Sequence, residues 1–204
     1  MVGYDPAVSG IDTPPSKGAA TRQRILVCAV ARFADEGFRS ASVAAIARDA
    51  RVTAPAVHAH FGSKEGLFRA AFEHDIAGFL DVIKGRLADG SFPSGNRHLI
   101  PALLAELETH PLARRVFQGR ESDRTAELLE LPAVRQLRAE MVQVVTDRQA
   151  EGVLRDDLSA PALAGALEVL VLALLLGATQ FGMIGDEERR LAILAVLSRG
   201  IRTD

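Results

Sequence analysis

Apolar positions along this chain recur at intervals of three and four, with no strand signal, so the pattern predicts an all-α protein. Val43, Ile46, Ala47 and Ala50 make one short helical run, and Val52, Ala56, Val57 and Phe61 make a second. A three-residue break, Arg51-Val52-Thr53, separates them. From Ser63 onward, Leu67, Phe68, Ala71, Phe72, Ile76, Phe79, Leu80, Ile83 and Leu87 mark one long amphipathic helix ending near Asp89-Gly90. The Gly/Ser/Pro-rich stretch 90–96 reads as a loop. Further helices are predicted at about 97–109, 111–118, 125–129 and 132–151, the last stopped by Gly152. Residues 160–181 are apolar on nearly all sides, and 186–201 carry Leu191, Leu194, Ala195, Leu197 and Ile201 on one stripe. A helix that is apolar all round must be covered all round. In a chain of 204 residues the natural cover is a second copy, so these two segments predict half of a four-helix dimer bundle. An ordinary monomer core around a central helix is the alternative.

The two short runs carry the most specific signal. Small residues at Ala47, Ala50 and Ala56 let two helices cross closely, which is the requirement for a helix-turn-helix that pushes its second helix into a DNA major groove. Thr53 is placed to cap that helix, Pro55 falls where a missing backbone donor costs little, and Gly62 ends the run after about two turns. Its outward positions, Thr53, Ala54, Pro55, His58 and Ala59, are small or polar, so the backbone can come close to base edges. Ser63 is placed to cap the next helix, with its free amides and the Lys64 ammonium facing a phosphate. Two short alanine-rich helices also occur in helical proteins that bind no DNA, and the pattern alone leaves both readings open.

Charge adds an asymmetry. The formal net charge is −2, yet residues 1–72 hold nine Lys/Arg against six Asp/Glu, and the remainder fifteen against twenty. A basic head on an acidic body suits a chain whose head alone meets phosphate. The single cysteine, Cys28, rules out an internal disulfide framework and fits a reducing cytoplasm; its neighbours Leu26, Val27, Ala29 and Val30 place it in helix packing rather than redox chemistry. Residues 1–16 are acidic and proline-bearing, unlike a signal peptide, and read as a disordered leader. Beyond it, Lys17, Arg22 and Arg24 lie where an arm can touch phosphate. The longest uninterrupted apolar stretch, 169–178, has ten residues, short of the roughly 20 a bilayer span needs, so no membrane partner is expected.

The segment TRQRILVCAVARFADEGFRSASVAAIARDARVTAPAVHAHFGSKEGLFRAAF resembles the N-terminal domain of the tetracycline-repressor (TetR) family of one-component regulators. The likeness rests on the first helix, Phe33 and Gly37 that close it, the Ile46-Ala47 pair and the HFGSKEGL junction. The remaining 130 or so residues resemble the family only in size and helical character. The resemblance implies a helix-turn-helix domain at 17–62, and a ligand-binding and dimerisation domain at 63–204 with its connecting helix at 63–89. It also implies a palindromic double-stranded operator, a small-molecule effector, and a repressor released by that effector. The implied DNA-facing residues are Arg22, Ser42, Arg51, Thr53, Ala54, Pro55, His58 and Lys64. Two positions depart from the family. Arg51 stands where glycine is usual, and a left-handed turn there costs an arginine about 1 kcal/mol. His58 replaces a tyrosine that touches the DNA backbone, and its charge changes between about pH 5 and 8, which suggests pH-sensitive operator binding.

The effector is poorly named by sequence. Inward candidates are Phe79, Ile83, Leu103, Leu107, Phe117, Met141 and Val145, with Glu168 or Gln180 as polar contacts. Each apolar one also serves plain core packing. Such a lining suits an apolar or amphipathic effector, and with no tryptophan and Tyr4 as the single tyrosine an aromatic cage for a cation is not expected. Enzymatic chemistry finds little support. His58 and His60 are two apart and point some 200° away from each other on a helix, too divergent for one metal, with His60 expected to pack inward beside Phe61. His74, His98 and His110 are isolated, without a nucleophile motif or a phosphate-binding glycine loop. No cofactor or metal is expected. The stronger rival to a DNA regulator is a helical protein that only binds other proteins.

Overall fold

The computed structural model describes residues 16–88 and 99–182, together with positions 188, 192, 193, 195, 196, 199 and 200. Nine helices are defined among them: α1 Lys17–Ser40, α2 Val43–Asp49, α3 Ala54–Phe61, α4 Lys64–Ala88, α5 Leu99–Leu107, α6 Pro111–Phe117, α7 Thr125–Leu129, α8 Pro132–Ala150 and α9 Ala160–Phe181. The described residues contain no strand element, and helix positions follow the apolar spacing closely. Ser16, assigned by sequence to the leader, instead caps α1 by accepting the Ala19 N–H at 3.2 Å. The rest of that leader, the 90–96 loop, and Leu191, Leu194, Leu197 and Ile201 lie outside the described residues.

Three aromatic rings close the head. At Gly37 the backbone turns to φ 79°, which interrupts α1 and swings Phe38 inward. Its ring stacks at 6.3 Å from Phe33, and both meet Phe68 of α4 edge-on at 5.2 and 5.0 Å. At the α3–α4 junction, Ser63 Oγ accepts the Gly66 N–H at 3.1 Å. A Cβ at Gly66 would stand 2.2 Å from the Phe61 carbonyl oxygen, so only glycine lets α4 start this close to the end of α3.

Helix α4 joins head to body. It buries Leu67, Phe68, Ala71 and Phe72 at its first half and Ile76, Phe79 and Leu80 further on. One continuous cluster of buried side chains runs from Ile25 in α1 to Leu175 in α9, so the head does not have a core of its own. The seam is also polar. Asp75 and Glu121 are buried, and each accepts a backbone N–H from across the seam: Asp75 from Ala113 of α6 at 2.8 Å, Glu121 from Phe38 of α1 at 3.1 Å. His110 provides no side-chain cap to α6, so Asp75 fills that role from α4. Burial pushes the Asp75 carboxyl above its usual range, partly offset by these backbone donors. Arg115 of α6 donates to Glu121 at 2.8 Å and reaches the carbonyls of Ala34 at 3.2 Å and Asp35 at 3.3 Å. A Cβ on Gly37 would meet that Arg115 guanidinium at 2.4 Å.

Helix α9 packs by one side. Leu163, Ala164, Leu167 and Leu175 are buried, whereas Val169 is 64% exposed and Phe181 71%, on a surface continued by Ala162, Ala166, Leu170 and Ala173. The ten-residue measure used to exclude a membrane span is corrected by the fold: the helix runs 22 residues with one charged side chain, Glu168, and is long and apolar enough to cross a bilayer by length and composition. What sets it apart is its inner face, which is committed to the bundle. Glu168 is held by Arg138 of α8, and Thr179 and Gln180 donate to the Phe117 carbonyl at 2.8 and 3.0 Å.

Candidate nucleic-acid interface and apolar cavity

The turn between α2 and α3 is built by hydrogen bonds rather than by glycine. Val52 N–H donates to the Ala47 carbonyl at 2.9 Å and Arg51 N–H to the Arg48 carbonyl at 3.1 Å. This pair of bonds is a Schellman ending of α2, and it requires a left-handed residue at position 51. Arg51 adopts φ 54° to supply it, the sole non-glycine positive φ among the described residues. Arg24 of α1 secures the same turn, its Nε donating to the Ala50 carbonyl at 3.0 Å. Arg32 bridges α1 to α2 at the surface, pairing with Asp49 at 2.7 Å and with Glu36; the guanidinium holds the Asp49 carboxyl below its usual range.

Thr53 caps α3, its hydroxyl accepting the Ala56 N–H at 3.4 Å, and Gly62 ends the helix at φ 75°. Val57 is the buried anchor of α3, and Thr53, Pro55, His58 and Ala59 are exposed, with Ala54 half-buried. His58 Nδ1 lies 3.2 Å from the Gly62 carbonyl oxygen, which ties the ring to its own helix end. Ser42 precedes α2, is exposed and makes no capping bond. Arg22 is exposed with its guanidinium 5.2 Å from the Phe61 ring centre, so it reaches the end of α3. Two sequence placements change. Lys64 turns back on the head, donating to the Arg39 carbonyl at 3.2 Å and lying 4.8 Å from the Phe38 ring centre. His60 is exposed, not packed inward, with its ring 6.0 Å from that of Phe61. Its position follows from α3 being so short that only one face, that of Val57, meets the body of the head.

The second feature is a cavity of about 100 Å³ among α4, α5, α6, α7, α8 and α9. Phe79, Ile83, Leu103, Phe117, Met141 and Glu168 line it, joined by Ile76, Leu80, Leu129, Val134, Leu137, Val171, Leu172 and Leu175. Leu107 and Val145 do not; each is 1% exposed and sits in the packed core. Nor does Gln180, which is spent on the Phe117 carbonyl. Helical spacing puts all of these on inward faces, but only the neighbours decide which inward residue borders empty space. Sequence reasoning missed Arg86 and Arg138, the other two charged residues of the wall. Arg138 stands directly after Leu137 and three residues before Met141, which was the available signal. Its Nε and Nη2 donate to the two Glu168 oxygens at 2.7 Å each, and this pairing raises the guanidinium pKa further.

Comparisons with known proteins agree on one family. The family described as bacterial regulatory proteins, tetR family, matches residues 25–71. The HTH-type transcriptional repressor SCO4008 of Streptomyces coelicolor is 33% identical over 145 residues, covering 71% of this chain and 72% of that protein. The HTH-type transcriptional repressor KstR2 of Mycolicibacterium smegmatis is 28% identical over 152 residues, with the same two coverages. Among solved structures, a TetR-family transcriptional regulator from Pectobacterium atrosepticum superposes with a TM-score of 0.70 at 22% identity, covering 94% of this chain and 99% of the other.

Proposed function

The chain belongs to the tetR family of bacterial regulatory proteins, and from that premise we propose that it is a homodimeric transcriptional repressor released from a palindromic operator by a small apolar or amphipathic effector. The observation that carries the reading is the exposed, capped start of α3 on a strained but hydrogen-bonded turn. Its residues Arg51, Thr53, Ala54, Pro55 and His58 meet the groove and its edges, with Ser42 and Arg22 on flanking phosphates. Lys64, held against the head, supplies positive potential to the same surface and steadies the α1–α4 corner. A phosphate on Arg51 offsets the backbone strain at that residue. Relatives that are transcriptional repressors support a binding protein of the cytoplasm rather than an enzyme.

A second copy covers α9. Its exposed stripe of small and apolar residues, and Val196, a helical position 72% exposed, make the self-complementary surface a twofold dimer needs. Two heads must then stand about 34 Å apart to enter successive major grooves on one face of DNA. Coupling runs through α6. Phe117 borders the cavity, and two residues earlier Arg115 grips Glu121 and the α1 carbonyls. A ligand that displaces Phe117 shifts this grip and α4 together, changing the spacing of the heads. The bias needed is a ligand-affinity difference between the two states of about 1 to 3 kcal/mol.

The test is selection of bound fragments from random DNA by the purified protein. An inverted repeat with half-sites one helical turn apart is expected. Absence of any enriched motif, or a monomer by sedimentation at binding concentrations, overturns the reading.

A further inference from the structure

We propose that the ligand of this cavity is an uncharged hydrocarbon the size of a single ring, seated against Phe79 and Phe117 and carrying no head group that ionises or hydrogen-bonds. The proposal rests on the reading of this cavity as the effector site and deepens it by fixing the size and polarity of the ligand. Three charged side chains stand in the wall, Arg86, Arg138 and Glu168, and the protein engages all three itself. Glu168 accepts from Arg138 Nε and Nη2 with one oxygen each, both at 2.7 Å. Arg86 has an interaction of its own. What is left to face the space is almost entirely side-chain carbon and sulfur, from Phe79, Ile83, Leu103, Phe117, Met141, Leu172 and their apolar neighbours.

Such a wall selects by what it withholds. A hydroxyl or an ionised group brought inside gives up its hydration and finds no partner in return, whereas carbon loses nothing by leaving water. Water itself is a poor occupant for the same reason, since a buried water takes roughly two to four polar partners. Size narrows the class further. The volume of about 100 Å³ is of the order of the apolar cavity of about 150 Å³ that takes up benzene in another protein. Phe79 and Phe117 lie 6.0 Å apart at a tilt of 55°, which suits edge and face contacts to a flat guest, and Met141 adds a polarisable sulfur that packs on ring edges. Phe117 is also two residues from Arg115, so a ring that presses on it acts on the seam with α1.

The experiment is calorimetric titration of the full chain at pH 7.5 with toluene, phenol, benzoate and benzylamine, which share one ring and differ in the group it carries. Toluene is expected to bind with a submillimolar dissociation constant, phenol at least about tenfold more weakly, and the two ions not measurably. Val171→Phe, which puts a ring into the space from a half-buried position on α9, abolishes toluene binding; if that variant fails to fold by circular dichroism, Ile83→Phe from α4 takes its place. Phenol, benzoate or benzylamine binding as tightly as toluene, no binding of toluene, or an unchanged toluene affinity in the folded filling variant overturns the proposal. Release of the selected operator is read separately by fluorescence anisotropy. Toluene that binds with the stated preference yet leaves DNA bound keeps the ligand class and removes the regulatory reading, whereas a protein that selects an operator and binds no toluene keeps the DNA reading and loses the ligand class.

Discussion

The head and the body of this protein are both made of amphipathic helices, but they close in different ways. In the head the apolar side chains pack within the chain, Val27 of α1 being the one large exception among its described residues. Phe33, Phe38 and Phe68 lock three segments into one corner, and the α2–α3 turn is fixed by its own backbone bonds and by Arg24. The body leaves a cavity at its centre and an apolar stripe along α9. A region that must present one fixed surface gains from complete closure. On the proposed function, a region that yields to a ligand and accepts a second copy gains from being unfinished, because uncommitted surface is what a binding partner completes.

The sharpest way to break that comparison is Phe33→Ala. The ring is fully buried and touches both other aromatics, so its loss is expected to destabilise the chain by about 3–5 kcal/mol. Because the buried cluster is continuous from α1 to α9, scanning calorimetry should show one transition moved to lower temperature. Two transitions, with the body's unchanged, would separate the regions more strongly than their packing suggests.

A smaller effect is expected at the seam, with Asp75→Asn. The Asp75 carboxyl is raised by burial, so between its ordinary value and its raised one the folded chain holds more protons than the unfolded chain. Stability from this group is therefore lost as pH rises through that window. Asparagine keeps an oxygen for the Ala113 N–H and does not ionise. The wild-type melting temperature should fall relative to the variant as pH is raised from 4 to 7, and a constant gap would place the carboxyl in a wetter site.

The smallest effect tests the head's one compromise. Arg51→Gly removes a left-handed arginine and should raise stability by about 1 kcal/mol in denaturant titration. Operator binding should weaken at the same time, with a shallower dependence on salt. A variant that gains stability without losing affinity would make Arg51 a neutral departure from the family.

Helix positions were legible because apolar spacing is a local property. The capping roles of Thr53 and Ser63 follow from single residues, and the structure reproduces them. Site residues were less legible. Lys64 reads as a phosphate contact until Phe38 and the Arg39 carbonyl come within its reach. Leu107 and Val145 have the same inward spacing as Leu103 and Met141, and nothing in the spacing separates packed from vacant surroundings. The count of ten uninterrupted apolar residues understated α9, because a single glutamate breaks the run without breaking the 22-residue apolar helix.

The order of residues thus decided by itself that the chain is helical, where most helices begin and end, and that two short helices meet at a tight turn. These depend on contacts within a few positions, where chain connectivity already fixes the geometry. Only the tertiary structure decided the Arg138–Glu168 pair, the hold of Arg115 and Glu121 on α1, and the place of the cavity. Their partners are 30 or more residues apart or on different helices, and periodicity states which face of a helix turns inward without stating what it meets there.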